Sequence, residues 1–232
     1  MPVYRLIDEP VFPPPDEAEP GGLLAVGGDL SAERLVIGYS QGIFPWYSEG
    51  EPILWFSPDP RAVLPTSELR LSRGVRRTLR DAPFEVRFDT AFERVIRACA
   101  SVPRSDQPDT WITADMIDAY CRLHRLGLAH SAEAWAGEEL VGGVYGVCLG
   151  GYFSGESMFR VRSGASLLAL VALVRQLAAW RIDLFDCQLY SAHTARLGAR
   201  EWPRPRFLGA LADALEAPTR RGPWRVEADS AL

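Results

Sequence analysis

The sequence predicts a mixed α/β or α+β protein. Three features point there. Beyond Pro65 short extended patterns alternate with helical ones, and a strand, helix, strand series over residues 151–188 implies a parallel crossover. The first 62 residues form a separate, proline-dense unit. At 232 residues with 47% hydrophobic and 24% charged side chains, the chain is of a size that buries roughly 70% of its unfolded surface.

Eleven of the eighteen prolines fall in the first 65 residues, a density that breaks regular structure into short pieces. One helix is expected there: Asp29-Leu30-Ser31 offers a cap, and Leu35, Val36 and Tyr39 recur at helical spacing before Gly42 stops it. Next come a basic helix over 72–80, a strand at Phe84 to Phe88, and helices near 90–100 and 114–126. His130 to Ala136 and Leu140 to Cys148 read as a hairpin across Gly137-Glu138, followed by a strand from Gly151 to Ser157. An amphipathic helix is expected from Ala165 to Trp180, then a strand from Ile182 to Gln188. In this reading Glu156 and Asp186 end adjacent parallel strands on one sheet edge, where ligands of open sheets gather.

Composition narrows the function. Twenty-five basic against thirty acidic residues give a net charge of −5, which argues against sequence-blind adhesion to nucleic acid, so any polyanion site is local. The longest apolar run, Ala165 to Val174, falls short of the roughly 20 residues of a membrane span. The N-terminus lacks the pattern of a secretory signal, so the protein is expected to start near Met1. Cys99, Cys121, Cys148 and Cys187 form no C-x-x-C pattern, which fits reduced thiols in the cytoplasm. His124, His130 and His193 lack metal-site spacing.

Asp186 and Gln188 stand two apart in an extended segment and leave one face about 6 to 7 Å apart, with Cys187 pointing the opposite way. A solvated face and a polar site explain that spacing equally well; Glu156 at a neighbouring strand end favours the site. Together they would attract a cation and could accept its proton. Pairing Cys187 with His193 as a hydrolase is disfavoured, because alternation buries the thiol. Gly142-Gly143-Val144-Tyr145-Gly146 matches no dinucleotide or phosphate loop and reads as close packing. Leu170, Leu173 and Leu177 form a stripe that is ordinarily core; with Val144, Phe153 and Phe185 part of it could line an apolar pocket. Arg73, Arg76, Arg77 and Arg80 share a helix face, either as solvated surface or as a phosphate contact. Trp46 and Trp111 lie in loop contexts where packing is the commoner fate and base stacking the alternative.

Longer motifs carry a resemblance: Glu19-Pro20-Gly21-Gly22-Leu23-Leu24-Ala25-Val26-Gly27-Gly28-Asp29-Leu30-Ser31, Gly42-Ile43-Phe44-Pro45-Trp46, Ser57-Pro58-Asp59-Pro60-Arg61-Ala62-Val63-Leu64, Gly155-Glu156-Ser157-Met158-Phe159, Asp186-Cys187-Gln188 and Leu197-Gly198-Ala199. Over about Phe12 to Leu208 the chain resembles the bacterial leucyl/phenylalanyl-tRNA-protein transferases. The resemblance implies an α+β fold, with a small N-terminal α/β domain (1–62) and a catalytic domain (63–232) built as an acetyltransferase-like mixed sheet with flanking helices. It implies transfer of Leu or Phe from aminoacyl-tRNA to the N-terminal Arg or Lys of acceptor proteins, marking them for degradation, by aminolysis of an ester that needs no cofactor. A cytoplasmic monomer is expected.

By the same resemblance Tyr39, Trp46 and Trp111 hold the terminal adenosine, and Val144, Phe153, Met158, Leu170, Leu173, Leu177 and Phe185 surround the transferred side chain. Asp186 orients or deprotonates the incoming amine, Gln188 accepts a hydrogen bond from it, and Glu156 meets the acceptor's cationic side chain. The chain departs from the family pattern at Arg160 and at Gly164-Ala165-Ser166-Leu167, where a lysine is usual at 167; Arg160 or Arg162 is left to supply that charge. Phe56 replaces a common Trp. The rival functions are a related transferase with acidic acceptors, a non-catalytic tRNA- or N-terminus-binding module, and a small-molecule acetyltransferase. The carboxylates at 156 and 186 argue against the first, retention of Asp186 with Gln188 against the second, and the lack of a pyrophosphate loop against the third.

Overall fold

A computed structural model describes residues 3–101 and 111–226. Short N-terminal strands β1 (Tyr4–Leu6), β2 (Leu23–Gly27), β3 (Phe44–Pro45) and β4 (Leu54–Phe56) form a sheet in the order β1-β2-β4-β3, parallel only between β1 and β2. Gly22, at φ +88°, marks why the sequence turns here: a Cβ would lie 2.8 Å from the backbone of Pro58, beside the hydrogen bond from Ser57 N–H to Gly22 O. Only glycine permits both that φ and that approach. Helix α1 (Ala32–Ser40) starts as expected, with Ser31 Oγ accepting from Arg34 N–H at 3.2 Å.

The larger sheet has seven strands: β5 (Arg61–Pro65), β6 (Glu85–Phe88), β7 (Ala129–Ala136), β8 (Glu139–Leu149), β9 (Tyr152–Arg160), β10 (Leu184–Gln188) and β11 (Arg200–Trp202). Their order is β11-β5-β10-β9-β8-β7-β6. The β7–β8 hairpin turns at Gly137, φ +62°. β9 and β10 run parallel across α5 (Ala165–Ala179), and the other pairings are antiparallel. The fold is therefore α+β with two mixed sheets.

Helices α3 (Phe92–Ser101) and α4 (Ala114–Arg125) cover one face of this sheet. Their apolar residues join those of the N-terminal sheet, including Leu35, Tyr39, Phe44 and Trp55, in one continuous cluster. α5 covers the other face, over a second cluster. α2 (Arg73–Arg80) is capped by Ser72, and the turn of helix α6 (Ala192–Ala195) precedes β11. α7 (Arg204–Leu215) packs over β5, β9 and β10, with Phe207 against Tyr152.

Two expectations are corrected. β9 continues to Arg160, so Glu156 lies within the strand and not at its end. α5 is not amphipathic: eleven of its fifteen residues are buried, because it is wedged between the sheet and the segments around α2 and residues 182–185. The strands β1 to β5 and β11 and the helices α6 and α7 were not expected.

Candidate active site

The parallel strands separate where the polar residues lie. β10 pairs with β9 only through Leu184↔Tyr152, Phe185↔Phe153 and Asp186↔Ser154. Immediately beyond, both strands are irregular. Against β8, Gly155 pairs with Gly146 and Ser157 with Tyr145, which leaves Glu156 as an extra residue; against β5, Asp186 pairs with Val63 and Gln188 with Ala62, which leaves Cys187 extra. An extra residue bends and twists its strand, so two bulges side by side open the sheet between β9 and β10. Gly146 makes the first bulge possible, since a Cβ there would lie 2.1 Å from Ser154 O.

Asp186 is fully buried and fully engaged. Arg61 Nε and Nη2 donate to its two oxygens at 2.9 and 2.6 Å, Tyr152 Oη donates at 2.7 Å, and the backbone N–H of Gln188 donates at 2.7 Å. Arg61 is itself buried, lying 4.8 Å from the Phe44 ring centroid and 4.6 Å from that of Phe207, and donating to Gly42 O at 3.0 Å. Burial works against its charge, but the adjacent carboxylate prevails and raises its pKa. All four acceptor directions of Asp186 are occupied. Of the two expectations for Asp186, orienting or deprotonating the amine, this arrangement leaves no oxygen lone pair for the second. Gln188 reaches the same face as Asp186, but through a left-handed backbone at φ +61° and not by strand alternation.

Glu156 is the opposite case. It is buried, and every donor to it is neutral: Gln188 Nε2 at 2.8 Å and Ser154 Oγ at 3.0 Å to one oxygen, Tyr120 Oη at 3.2 Å to the other. Tyr39 hydrogen-bonds Tyr120 in turn. Burial raises the Glu156 pKa to about 7, with the hydroxyl donors of Tyr39, Ser154 and Tyr120 opposing it and the Asp186 charge adding to it. The phenols of Tyr39 and Tyr120 are pushed well above their usual range, first by burial and then by Glu156, so both stay protonated donors. Because Gln188 gives its NH2 to Glu156 and Ser154, its carbonyl oxygen is left to accept from something else.

The apolar candidates come together on the opposite face. Val144, Phe153, Leu170, Leu173, Leu177 and Phe185 are buried in the cluster under α5, with Met158 half-buried against it. The rings of Phe153 and Phe185 stack at 5.4 Å. Phe185 also lies against Gly155, at the point where the strands separate, so this cluster reaches the opening from behind. Cys187 joins it; burial raises its thiol pKa and His193 is shifted down by burial, which leaves no thiolate–imidazolium pair.

Of the stacking candidates, Trp46 is half-buried beside Phe56 and Trp111 is buried, while Thr110 lies outside the described residues. Their loops meet where Tyr47 Oη bonds Thr113 Oγ1, the cap of α4, at 3.0 Å. Tyr39 is inside the core and belongs to the Glu156 network, not to an exposed stacking surface. Arg73, Arg76, Arg77 and Arg80 are all exposed on α2, near the β6 edge and away from the opening. Arg162 pairs with Glu139, whereas Arg160 is exposed.

Sequence reasoning missed Arg61, Tyr120, Tyr152 and Ser154. Arg61 stood in a quoted motif, and an arginine within an apolar strand is a signal for a buried carboxylate partner. Among the described residues no group of His, Cys, Asp or Glu is arranged to hold a metal ion, the four cysteines form no disulfide, and no helix is long and apolar enough to cross a membrane.

The sequence profile of the family described as leucyl/phenylalanyl-tRNA protein transferase matches residues 63–212, and that of the family's N-terminal domain matches residues 28–59. The chain is similar to the leucyl/phenylalanyl-tRNA–protein transferase of Myxococcus xanthus (strain DK1622), 54% identical over 226 residues that cover 97% of each chain. It is 57% identical to that of Anaeromyxobacter sp. (strain Fw109-5) over 228 residues, 98% of this chain and 97% of the other. With that of Syntrophotalea carbinolica it shares 58% identity over 214 residues, 92% and 93% of the two chains.

Proposed function

The chain belongs to the leucyl/phenylalanyl-tRNA protein transferase family, and on that premise we propose that it transfers Leu or Phe from aminoacyl-tRNA to the N-terminal Arg or Lys of acceptor proteins. The observation that carries the mechanism is the contrast between two neighbouring carboxylates: Asp186 neutralised by Arg61, Glu156 buried without a cation. A site that leaves one desolvated carboxylate without a counter-ion recruits a cation, and the N-terminus of an Arg- or Lys-initiated chain carries two.

In this reading Glu156 attracts that N-terminus and takes the proton its ammonium must lose. A pKa of about 7 suits exchange with an amine near neutrality. The Gln188 carbonyl accepts a hydrogen bond from the amine and holds its lone pair towards the ester. Asp186 touches no substrate; through the Gln188 backbone N–H it fixes the left-handed turn that aims the amide. The amine nitrogen then bonds to the ester carbonyl carbon, the bond to the ribose oxygen breaks, and that oxygen leaves with a proton as the tRNA hydroxyl. Positioning supplies most of the rate, because the ester is already activated.

For the donor, the cluster of Val144, Phe153, Met158, Leu170, Leu173, Leu177 and Phe185 would take the Leu or Phe side chain, reached through the opening beside Gly155. Trp46 and Trp111 would flank the adenosine, and Arg73, Arg76, Arg77 and Arg80 would contact tRNA phosphates. We keep 1–62 and 63–232 as the two domains, and the cytoplasm as a compartment suited to four cysteines that form no disulfide. The product would carry an N-terminal Leu or Phe that marks it for degradation. The test is a mixture of the protein, leucyl-tRNA bearing labelled leucine and a peptide beginning with Arg. Label in the peptide is expected; tRNA binding without transfer would leave a binding module instead.

A further inference from the structure

A cavity of about 690 Å³ lies between α2, β6 and α5, apart from the opening between β9 and β10. Leu79, Phe84 and Ala172 contribute to an apolar lining, and the arginines Arg76, Arg80 and Arg175 line it from two helices. Arg76 and Arg80 are exposed and Arg175 is half-buried. Arg76 is held by a 3.0 Å bond from its Nε to Leu71 O, and Arg80 lies only at 4.0 Å from Asp81. In a chain of net charge −5, this is a local cationic rim around an apolar space.

We propose that the cavity takes one unpaired nucleobase of the tRNA, away from the aminoacylated end, with the flanking phosphates on Arg76, Arg80 and Arg175. The inference rests on the donor being a tRNA. A nucleotide has apolar faces between anionic groups, which is the chemistry of this lining and rim. The rim residues of α2 share a helix with Arg73 and Arg77, so a phosphate backbone laid along α2 passes the cavity mouth. Among the described residues β6 is an edge strand whose outer backbone pairs with no strand, so it can meet a base edge. In the strand order β6 is four positions from β10, so this contact would read a part of the tRNA remote from the reacting ester.

Filling the cavity with Ala172→Phe and reversing the rim with Arg175→Glu test it on the full chain. Each should lower affinity for leucyl-tRNA at least about tenfold, the scale of losing a stacked base, while transfer from 3′-leucyl-adenosine to an Arg-peptide stays unchanged. A set of leucyl-tRNAs, each abasic at one unpaired position, should contain one that binds the wild type as weakly as normal tRNA binds Ala172→Phe, with no further loss in that variant. A folded Ala172→Phe with wild-type tRNA affinity overturns the proposal. So does weakening by Arg175→Glu with no abasic position mattering, which would reduce the rim to backbone contacts. If Ala172→Phe does not fold, Arg175→Glu and the abasic set decide. A wild type that transfers from neither donor would count against the transfer reading, and the affinities would still judge the cavity.

Discussion

Arg61 and Asp186 form a two-bond ion pair, at 2.9 and 2.6 Å, in which both side chains are fully buried although they are 125 residues apart in sequence. The pair joins the neighbouring strands β5 and β10 of the large sheet, and through Gly42 O Arg61 also holds the turn that follows α1. A buried ion pair is weak evidence for stability, but breaking one is costly. Arg61→Met is therefore expected to destabilise the protein by about 3 to 5 kcal/mol by urea unfolding, since it strands the Asp186 charge. Adding Asp186→Leu should recover much of that loss without recovering transfer, because the Gln188 turn loses its acceptor. Recovery of transfer in the double variant would remove Asp186 from the positioning role.

Gln188 works through its backbone and its amide together. Gln188→Asn tolerates the positive φ, which Asn adopts more readily than most residues, but is one methylene too short to keep the 2.8 Å bond to Glu156. The variant should fold with near wild-type stability and bind leucyl-tRNA normally, yet lose about 100-fold or more in transfer, in the range of a positioned general acid–base group. Parallel loss of rate and tRNA affinity in filter-binding assays would contradict the assignment.

The crossover β9-α5-β10 was legible because a long run of helix-favouring residues, Ala165 to Ala179, stands between two short extended segments, and the β7–β8 hairpin because Gly137 separates two extended runs. The N-terminal strands were not: β3 has two residues and β4 three, too short for a period, and they exist through pairing with distant partners. The site was legible as a set of residue types and illegible as geometry. Asp186, Gln188 and Glu156 could be named, but strand register is set between segments, and the bulges that make Glu156 and Cys187 extra residues leave no local pattern. Which carboxylate is neutralised depends on Arg61, whose pairing no local spacing reveals. The same limit misplaced Tyr39, whose hydroxyl turns inward to Tyr120.

Glu156 predicts a pH dependence of stability. Its folded pKa, about 7, is raised above the ordinary glutamate value of 4.5. For a carboxyl shifted upward, the folded state holds the proton more tightly, so the favourable contribution is complete below pH 4.5 and is lost as pH rises through 7. The ionised residue then costs on the order of 3 kcal/mol at pH 8. Glu156→Gln should accordingly be more stable than wild type at pH 8 and similar to it at pH 5, by urea unfolding at both values. Its transfer rate should also lack the wild-type inflection near pH 7, measured on one peptide so that the amine titrates equally in both. Identical stability profiles would mean that Glu156 is ionised without penalty.

Arg73 and Arg77 lie outside the cavity and project from α2 into solvent. Reversing both to Glu should weaken tRNA binding and flatten the dependence of log K on log salt by about 0.7 to 0.9 units per lost phosphate contact. Stability should change little, since the Arg77–Asp81 pair at 3.6 Å is exposed. An unaltered slope would assign the α2 charges to solvated surface.

Acceptor choice is the sharpest consequence of the unequal carboxylates. With Asp186 neutralised by Arg61, discrimination falls to Glu156 alone, whose donors Gln188, Ser154 and Tyr120 are neutral and leave its charge uncompensated. A cation brought to it is attracted through a partly desolvated opening; a carboxylate on the first residue of the acceptor meets a like charge at a cost of several kcal/mol. Peptides beginning with Arg or Lys should therefore be modified, and matched peptides beginning with Asp or Glu should be slower by orders of magnitude in kcat/KM. Glu156→Gln should narrow that gap from the cationic side, raising KM for Arg-peptides while leaving leucyl-tRNA affinity intact, because Glu156 faces the amine and not the adenosine. The comparison requires fixed ionic strength and peptides differing only at the first position. Efficient modification of a Glu-peptide by the wild type would show that the Glu156 charge is compensated in the working complex, and would favour the rival transferase with acidic acceptors.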